Sequence, residues 1–135
     1  MSKDYYQAVK EINKKPERQA YVKGRAFEKY CIKIYRNAGW YVKRSFGSKG
    51  EEDFVAFLGF YHSEANASLG TCHFVQCKWS KSHETKPEDF AFEMQDLIAK
   101  AQRFGAIPVF AGVKKQKRNR VYFVNLFNGL EMKIG

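Results

Sequence analysis

Two short apolar runs decide how this chain folds: DFVAFLGF at residues 53–60 and TCHFVQCK at residues 71–78. The first is apolar on consecutive positions, which is typical of a strand that is at least partly covered on both faces, and the second is also predicted to be a strand. Each run also carries polar residues at one end, Asp53 in the first and Gln76 and Lys78 in the second. Because polar groups at the end of a core strand need partners, these three residues are the first candidates for a functional site.

Helical patterns precede and follow these runs. Between residues 17 and 38 apolar side chains recur at i, i+3, i+4, i+7, i+8 and i+11, which predicts one face of a helix that Gly39 ends. A second helix is predicted to start at Thr85–Glu88, which has capping-box spacing and a proline in its first turn, and to end at Gly105. An exposed aromatic residue near its start would indicate a dimer interface or a stacking surface.

Further strands are predicted at 40–44, 107–113 and 121–127. A helix between the third and fourth strands predicts a crossover, so the sheet should be mixed. The predicted fold class is α/β, with a central mixed five-stranded sheet flanked by helices in three layers. At 135 residues the chain is predicted to be one domain. Its predicted parts are a basic N-terminal extension at 1–19, a core at 20–127 and a tail at 128–135.

The charge balance points to a polyanionic partner. There are 24 Lys and Arg against 14 Asp and Glu, which gives a formal net charge of +10. Basic side chains gain free energy by displacing counterions from phosphates, so nucleic acid is the favoured partner. The composition also allows two alternatives: the basic surface could serve solubility, or it could bind a membrane surface.

Cysteine usage and the absence of targeting signals favour an intracellular, cytoplasmic protein, with a viral or phage origin left open. Cys31, Cys72 and Cys77 lie in apolar runs without CxxC spacing, so they are expected to be reduced thiols and not zinc ligands. No secretory signal opens the chain, and no apolar stretch approaches the roughly 20 residues that span a bilayer. The turn GSKG at 47–50 lacks the P-loop pattern, which argues against a nucleotide cofactor.

The strand-end residues have the chemistry of a divalent-metal site. Gln76 and Lys78 point to one face of their strand and Cys77 to the other, and strand pairing can bring Asp53 beside them. Lys78 could hold or deprotonate an attacking water and neutralise charge on a phosphate. The predicted oxygen ligands for Mg²⁺, or for Mn²⁺ in its place, are Asp53, Gln76, the main-chain carbonyl of Cys77, and Glu28.

Each of these residues also has an ordinary structural interpretation. Asp53 could be a turn or cap residue, and Lys78 could be the polar end of a strand. Glu28 could be a charge on the surface of a helix. Glu51 and Glu52, beside the turn, are expected to be solvated and outside the site.

The ordered motifs resemble a known enzyme family. They are GRAFE at 24–28, GWYVKR at 39–44, GSKG at 47–50, DFVA at 53–56, Cys77-Lys78 and FGAIPV at 104–109. Together they resemble the archaeal-type Holliday junction resolvases of the PD-(D/E)XK nuclease superfamily. The resemblance implies a restriction-endonuclease-like fold and a Mg²⁺-dependent homodimer that nicks two opposing strands of a four-way DNA junction.

The resemblance also implies roles for individual residues. Glu28 and Asp53 match acidic metal-site positions, and Lys78 matches the catalytic lysine. Arg44 and Ser48 match residues that act near the scissile phosphate. The predicted catalytic set is Glu28, Asp53, Gln76, Lys78 and Ser48. The predicted DNA contacts are Arg25, Arg44, Lys49, Lys81 and Gln95, of which Gln95 matches a helix glutamine near the active site.

One departure from the family pattern affects the predicted activity. The family usually has glutamate where this chain has Gln76, so one negative charge is missing from the metal site. Three interpretations follow: metal affinity is reduced, Glu28 compensates, or the protein binds DNA without efficient cleavage. The predicted function is a structure-selective endonuclease that resolves four-way junctions. The alternatives are another PD-(D/E)XK endonuclease, of repair or restriction type, and a catalytically weak DNA-binding protein of the same fold.

Overall fold

The computed structural model describes residues 16–45, 51–59, 70–115 and 120–134. Within these residues the elements are, in order, α1 at Pro16–Asn37, β1 at Tyr41–Arg44, β2 at Phe54–Leu58, β3 at Thr71–Cys77, a 3₁₀ turn at Pro87–Phe90, α2 at Ala91–Phe104, β4 at Ile107–Lys114, β5 at Arg120–Asn125 and β6 at Leu130–Met132. Neither of these helices is long and apolar enough to cross a bilayer. The predicted α/β class is confirmed, with six strands in the described residues where five were expected.

The strands form a single mixed sheet in the order β1-β2-β3-β4-β5-β6. Neighbouring strands are antiparallel except β3 and β4, which are parallel and are joined by the 3₁₀ turn and α2 as a crossover. The register places Arg44 opposite Phe54, and Phe54 opposite Val75. The ends of β1, β2 and β3 that carry these residues therefore lie side by side at one end of the sheet.

The two helices cover opposite faces of the sheet. On the α1 face, Tyr35 is fully buried, and its ring centroid lies 5.4 Å from that of Phe54 and 5.6 Å from that of Phe123 in edge-on contacts. On the α2 face, Leu97 is fully buried in a cluster with Phe74. Alternate residues of the central strands pack toward α1 and toward α2, which gives the three predicted layers.

Glycines in the left-handed conformation end both helices. Gly39 has a φ of 92° and Gly105 a φ of 67°, values that a residue without a Cβ adopts at low cost. The Gly105 N–H donates to the carbonyls of Ala101 and Gln102. Both helices thus end at the glycines that the sequence indicated, and the chain turns directly into β1 and β4.

The sixth strand and the start of α2 differ from the sequence-based expectations. β6 pairs with β5, but it lies in the predicted tail, and its three residues are too few to show a periodic pattern. Thr85 does not cap α2, because its hydroxyl donates to the Lys78 carbonyl at 2.8 Å and accepts from the Val113 N–H at 3.0 Å. The Lys86 N–H instead donates to the Asp89 carboxylate at 3.3 Å, and the first turn is 3₁₀.

Candidate active site

Asp53 lies at the end of the sheet where β1, β2 and β3 meet. Its N–H donates to the Val75 carbonyl at 2.8 Å, and its carbonyl accepts from the Ser45 N–H at 3.0 Å. Its side-chain Oδ2 accepts from the Cys77 N–H at 2.7 Å. The carboxylate is therefore fixed against the last residue of β3.

The surroundings of this carboxylate disfavour its charge. The pKa of Asp53 is raised to about 6, chiefly by burial and also by the nearby carboxylates of Glu28 and Glu93. The Cys77 N–H and the Lys78 ammonium act in the opposite direction and lower the pKa without cancelling the shift. Desolvated acids beside other acidic groups concentrate at functional sites.

Gln76 and Lys78 lie on the α2 face of β3, as strand alternation predicts. Gln76 Nε2 donates to Glu93 Oε2 at 3.0 Å, and the Lys78 ammonium forms an ion pair with the same oxygen. Lys78 Nζ also lies 4.8 Å from the centroid of the Phe90 ring, which is a cation–π contact. Gln76 Oε1 is buried and has no hydrogen-bond partner among the described residues.

Glu28 approaches the same place from the opposite face of the sheet. It projects from α1, its side chain is 14% exposed, and its Oε1 accepts from Arg44 Nε at 2.9 Å. This ion pair holds Arg44, the last residue of β1, at the sheet end that carries Asp53. Glu28 and Glu93 thus flank Asp53 from two helices on opposite faces.

The main chain of Cys77 lies at this site, whereas its thiol points into the core. The thiol packs in the α1-side core beside Cys31, and burial raises its pKa well above the ordinary value, so it stays protonated. In an extended strand the N–H and the C=O of one residue point to the same side. We therefore expect the Cys77 carbonyl to face the side on which its N–H meets Asp53.

The oxygen donors at this sheet end fit a hard divalent cation. The buried Gln76 Oε1 is the clearest sign, because an acceptor without a partner is destabilising until something binds it. Among the residues described, no group of three or more His, Cys, Asp or Glu side chains is placed to hold a metal ion as these side chains lie in the structure. A cation would therefore need neutral oxygens as well as carboxylates.

Four of the five predicted DNA contacts lie among the described residues. Arg44 belongs to the site through its ion pair with Glu28. Arg25 lies three residues before Glu28 on α1, and Lys81 is exposed in the segment that follows β3. Ser48 and Lys49 lie outside the described residues.

Glu93 contacts the site although the sequence pattern did not indicate it. The residue predicted for α2 was Gln95, whose side chain is exposed, whereas the contact to β3 comes from Glu93 two residues earlier. One signal was present in the sequence. Glu93 directly precedes the buried Met94, so it lies at the edge of the apolar stripe that faces the sheet.

Glu52 was expected to be solvated, and this prediction is wrong. Glu52 is 8% exposed, and its Oε1 accepts from Ser45 Oγ at 3.2 Å and from Lys100 Nζ at 3.0 Å. Lys100 also lies 3.4 Å from Glu51 Oε2. A lysine of α2 therefore draws both glutamates to that helix and anchors the chain just before Asp53.

Comparison with known proteins identifies the fold. No protein-family model and no curated protein sequence matches the chain. Among solved structures, the chain is similar to Archaeoglobus fulgidus Hjc, a Holliday junction resolvase from an archaeal hyperthermophile, at 23% identity and a TM-score of 0.54. The match covers 78% of this chain and 74% of that one. The resemblance noted in the sequence is therefore confirmed in three dimensions, and the chain has the fold of an archaeal Holliday junction resolvase.

Proposed function

We propose that this protein is a metal-dependent DNA endonuclease that prefers four-way junctions and acts as an intracellular homodimer. One observation carries the proposal: a partly buried Asp53 carboxylate is fixed 2.7 Å from the Cys77 N of β3, near the Lys78 ammonium. The same strand end carries Gln76, whose Oε1 is buried and has no hydrogen-bond partner among the described residues. Stability alone gives no reason to assemble these groups, whereas metal-assisted hydrolysis does. The shared fold supports the same reaction class, although chemistry is specified by the site and not by the fold.

The proposed metal is Mg²⁺, with Mn²⁺ as a substitute. The residues that would hold it are Asp53, Glu28, Gln76 through its amide oxygen, and Cys77 through its carbonyl. When bound, such an ion supplies Lewis-acid stabilisation of the phosphate and lowers the pKa of water. The chain itself positions these donors. The hydrogen bond between the Cys77 N–H and the Asp53 carboxylate fixes Asp53 against the end of β3.

Lys78 is proposed to be the catalytic lysine. Its N–H donates to the Ala111 carbonyl at 2.9 Å, and its ammonium is held between Glu93 and the Phe90 ring. From there it can hold the attacking water and donate hydrogen bonds to a phosphate oxygen as charge builds up. The water oxygen bonds to phosphorus as the bond to the 3′ oxygen breaks. A proton passes to the leaving oxygen, which gives 5′-phosphate and 3′-hydroxyl ends.

DNA binding is proposed to depend on phosphate contacts. The net charge of +10 supports this, as do the Arg44–Glu28 ion pair at the site and the exposed Lys81 in the segment after β3. Arg25, three residues before Glu28 on α1, is proposed to contribute as well. Ser48, Lys49 and Gln95 are proposed to add further contacts. Because phosphate contacts carry no sequence information, the protein should recognise the shape of the junction.

A homodimer is proposed because paired nicks need two sites. A dimer with two-fold symmetry would match the near two-fold symmetry of a four-way junction. Phe92, at the start of α2, is 84% exposed, so it meets the condition for an interface or stacking residue stated from the sequence. Because Phe92 is next to Glu93, an interface there would bring the two sites close together.

The test is cleavage of labelled four-way junction, duplex and single-stranded DNA by the full-length protein with Mg²⁺ or Mn²⁺. We expect paired nicks on the junction. Lys78→Ala should be about 100-fold to 1000-fold slower, because one donor to the developing charge is lost. Lys133→Ala removes the same charge from an exposed residue after β6, at the far edge of the sheet, and should cut like the wild type.

The other outcomes separate the alternatives. Cutting of duplex would instead support a repair or restriction endonuclease of the same superfamily. Junction binding without any metal-dependent product, equal in wild type and Lys78→Ala, would contradict both enzymatic functions. It would support a catalytically weak DNA-binding protein, the alternative that the missing charge at Gln76 favours.

A further inference from the structure

The proposed metal site is short of negative charge. Of its three strand donors, Asp53 alone is charged, since Gln76 and Cys77 offer neutral oxygens. Glu28 adds a charge from α1, but its Oε1 already accepts from Arg44 Nε at 2.9 Å. Hard divalent cations prefer carboxylate oxygens, so a further carboxylate beside Gln76 would change their affinity substantially.

Glu93 places a carboxylate at this position. It lies in the first turn of α2, and its Oε2 accepts from Gln76 Nε2 at 3.0 Å and pairs with the Lys78 ammonium. Glu93 Oε2 thus contacts both Gln76 and Lys78, the two side chains at the end of β3 that face α2. The Glu93 side chain is 49% exposed, so an ion from solvent can reach it.

Glu93 also determines which way the Gln76 amide faces. Only the NH₂ end of an amide can donate to a carboxylate, so Nε2 must face Glu93 and Oε1 must face away from it. That oxygen is the buried acceptor that lacks a partner in the described part of the chain. The contact with Glu93 therefore presents an oxygen to a cation, where the opposite orientation would present an N–H.

We propose that Glu93 is a further residue of the metal site, which supplies from α2 the carboxylate that position 76 lacks and holds the Gln76 oxygen in position to bind. The inference rests on the proposed function, since it requires a divalent cation beside Asp53. The ordinary alternative is a helix acid that interacts with the helix dipole and with Lys78. In that role Glu93 would act on a cation only through its charge and would not bind it.

Metal binding in the absence of DNA tests this role apart from catalysis. Mn²⁺ is titrated into the full-length protein, and free Mn²⁺ is followed by its electron paramagnetic resonance signal. Asp96→Asn is the matched control, because it removes one negative charge from an exposed residue one turn further along α2. The other variants are Glu93→Gln, Asp53→Asn, and the double variant Gln76→Glu with Glu93→Gln.

We expect Glu93→Gln to weaken Mn²⁺ binding about 10-fold to 100-fold, and Asp96→Asn to bind like the wild type. The double variant should recover the wild-type affinity, because the carboxylate is then carried by the strand. If Glu93→Gln binds as tightly as Asp96→Asn while Asp53→Asn loses binding, the role of Glu93 is overturned and the proposed function stands. A double variant as weak as Glu93→Gln also overturns that role. Failure of the wild type to bind Mn²⁺, or unchanged binding in Asp53→Asn, contradicts the proposed function itself.

Discussion

Buried polar side chains in this protein differ in whether the fold satisfies them. The Tyr35 hydroxyl and His73 Nδ1 are hydrogen-bonded at 2.9 Å in the core, and the Thr85 hydroxyl is bonded to main chain on both sides. Gln76 keeps a buried oxygen without a partner among the described residues, and Asp53 carries a charge that burial opposes. Groups of the second kind reduce stability, so their meeting at one end of the sheet argues for function.

His73 predicts how stability responds to acid. It is 2% exposed, and burial lowers its pKa from 6.5 to about 4. As the pH falls below 6.5, the unfolded chain takes up a proton while folded His73 stays neutral until about pH 4. His73 by itself should therefore lower the free energy of unfolding by about 3 kcal/mol across this window. Urea unfolding at a series of pH values measures this loss.

His73→Asn is the control for this measurement, since its amide can still bond the Tyr35 hydroxyl but cannot take up a proton. The variant should be less stable at neutral pH, because a buried ring is lost. The difference in free energy of unfolding between the wild type and the variant should shrink by about 3 kcal/mol as the pH falls from 6.5 to about 4. Asp53 acts in the opposite sense, because its raised pKa makes stability fall as the pH rises toward 6. Asp53 is present in both the wild type and His73→Asn, so its contribution cancels when their free energies of unfolding are subtracted. A difference between the two proteins that stays constant from pH 6.5 to about pH 4 would contradict this role of His73.

At the scale of elements, β3 links the core to the site. Val75 packs toward α1 and Phe74 toward α2, so a slip of one residue would reverse both faces and is strongly disfavoured. The register that this core imposes also fixes the direction of Lys78. The segment after β3 is tied back by Thr85, whose side chain packs where Gly112 of β4 leaves room.

Gly112→Ala should disturb both stability and the site. A Cβ at this position would lie 2.5 Å from Phe110 Cε1 and 2.7 Å from Thr85 Oγ1, closer than atoms can pack. Because Thr85 bonds the Lys78 carbonyl, its displacement would also shift the backbone of Lys78. We expect a loss of about 1–3 kcal/mol in the free energy of unfolding, measured in urea, together with slower cleavage.

Gly24→Ala is the matched control for that substitution. Gly24 lies within α1, and an added Cβ would have nothing within 4 Å. The variant should gain up to about 1 kcal/mol, because alanine loses less backbone entropy in a helix. If both alanine variants were equally stable, the close packing around Gly112 would not be limiting.

The elements that sequence predicts well are those whose pattern is local. The two apolar runs became β2 and β3, and the glycines end both helices, because periodicity and backbone freedom act over a few residues. Thr85 was misjudged because its spacing to Glu88 suits a cap, while tertiary contacts with β4 satisfy its hydroxyl better. β6 was missed because its residues are partly or fully exposed and only pairing with β5 defines it.

The residues at the site also differ in whether the local sequence pattern could indicate them. Asp53 and Lys78 could be selected from sequence because both lie at the ends of apolar runs. Spacing could place Glu93 only at the edge of the apolar stripe of α2, and its contact with Gln76 could not be predicted, since the crossover brings the two together. Glu52 looked like a solvated residue, because nothing local indicates that Lys100, on α2, would cover it.

At the scale of the molecule, the proposed site lies at one end of the sheet in a protein whose net charge is +10. A groove of about 600 Å³ between α2 and the β5–β6 side is lined by residues that include Met94, Ile98 and Tyr122, and Asp53 is not among them. A DNA backbone can bind to an exposed protein surface, so the proposed site does not require an enclosed pocket. Lys29 and Lys33, exposed four residues apart on α1, extend positive charge away from the sheet end.

Salt dependence tests this surface as a whole. If about six phosphates are neutralised, affinity for a four-way junction should fall about 1000-fold between about 50 and 200 mM salt, measured by fluorescence anisotropy without divalent metal. Lys81→Ala should reduce the slope of log affinity against log salt by about one, equally for junctions of different sequence, because a phosphate contact is lost. Lys133→Ala removes the same charge beyond β6 and should leave the slope unchanged. If Lys133→Ala reduced the slope and Lys81→Ala did not, the DNA would bind on the β6 side. The sheet end formed by β1, β2 and β3 could then not be the place where the DNA strand is cut.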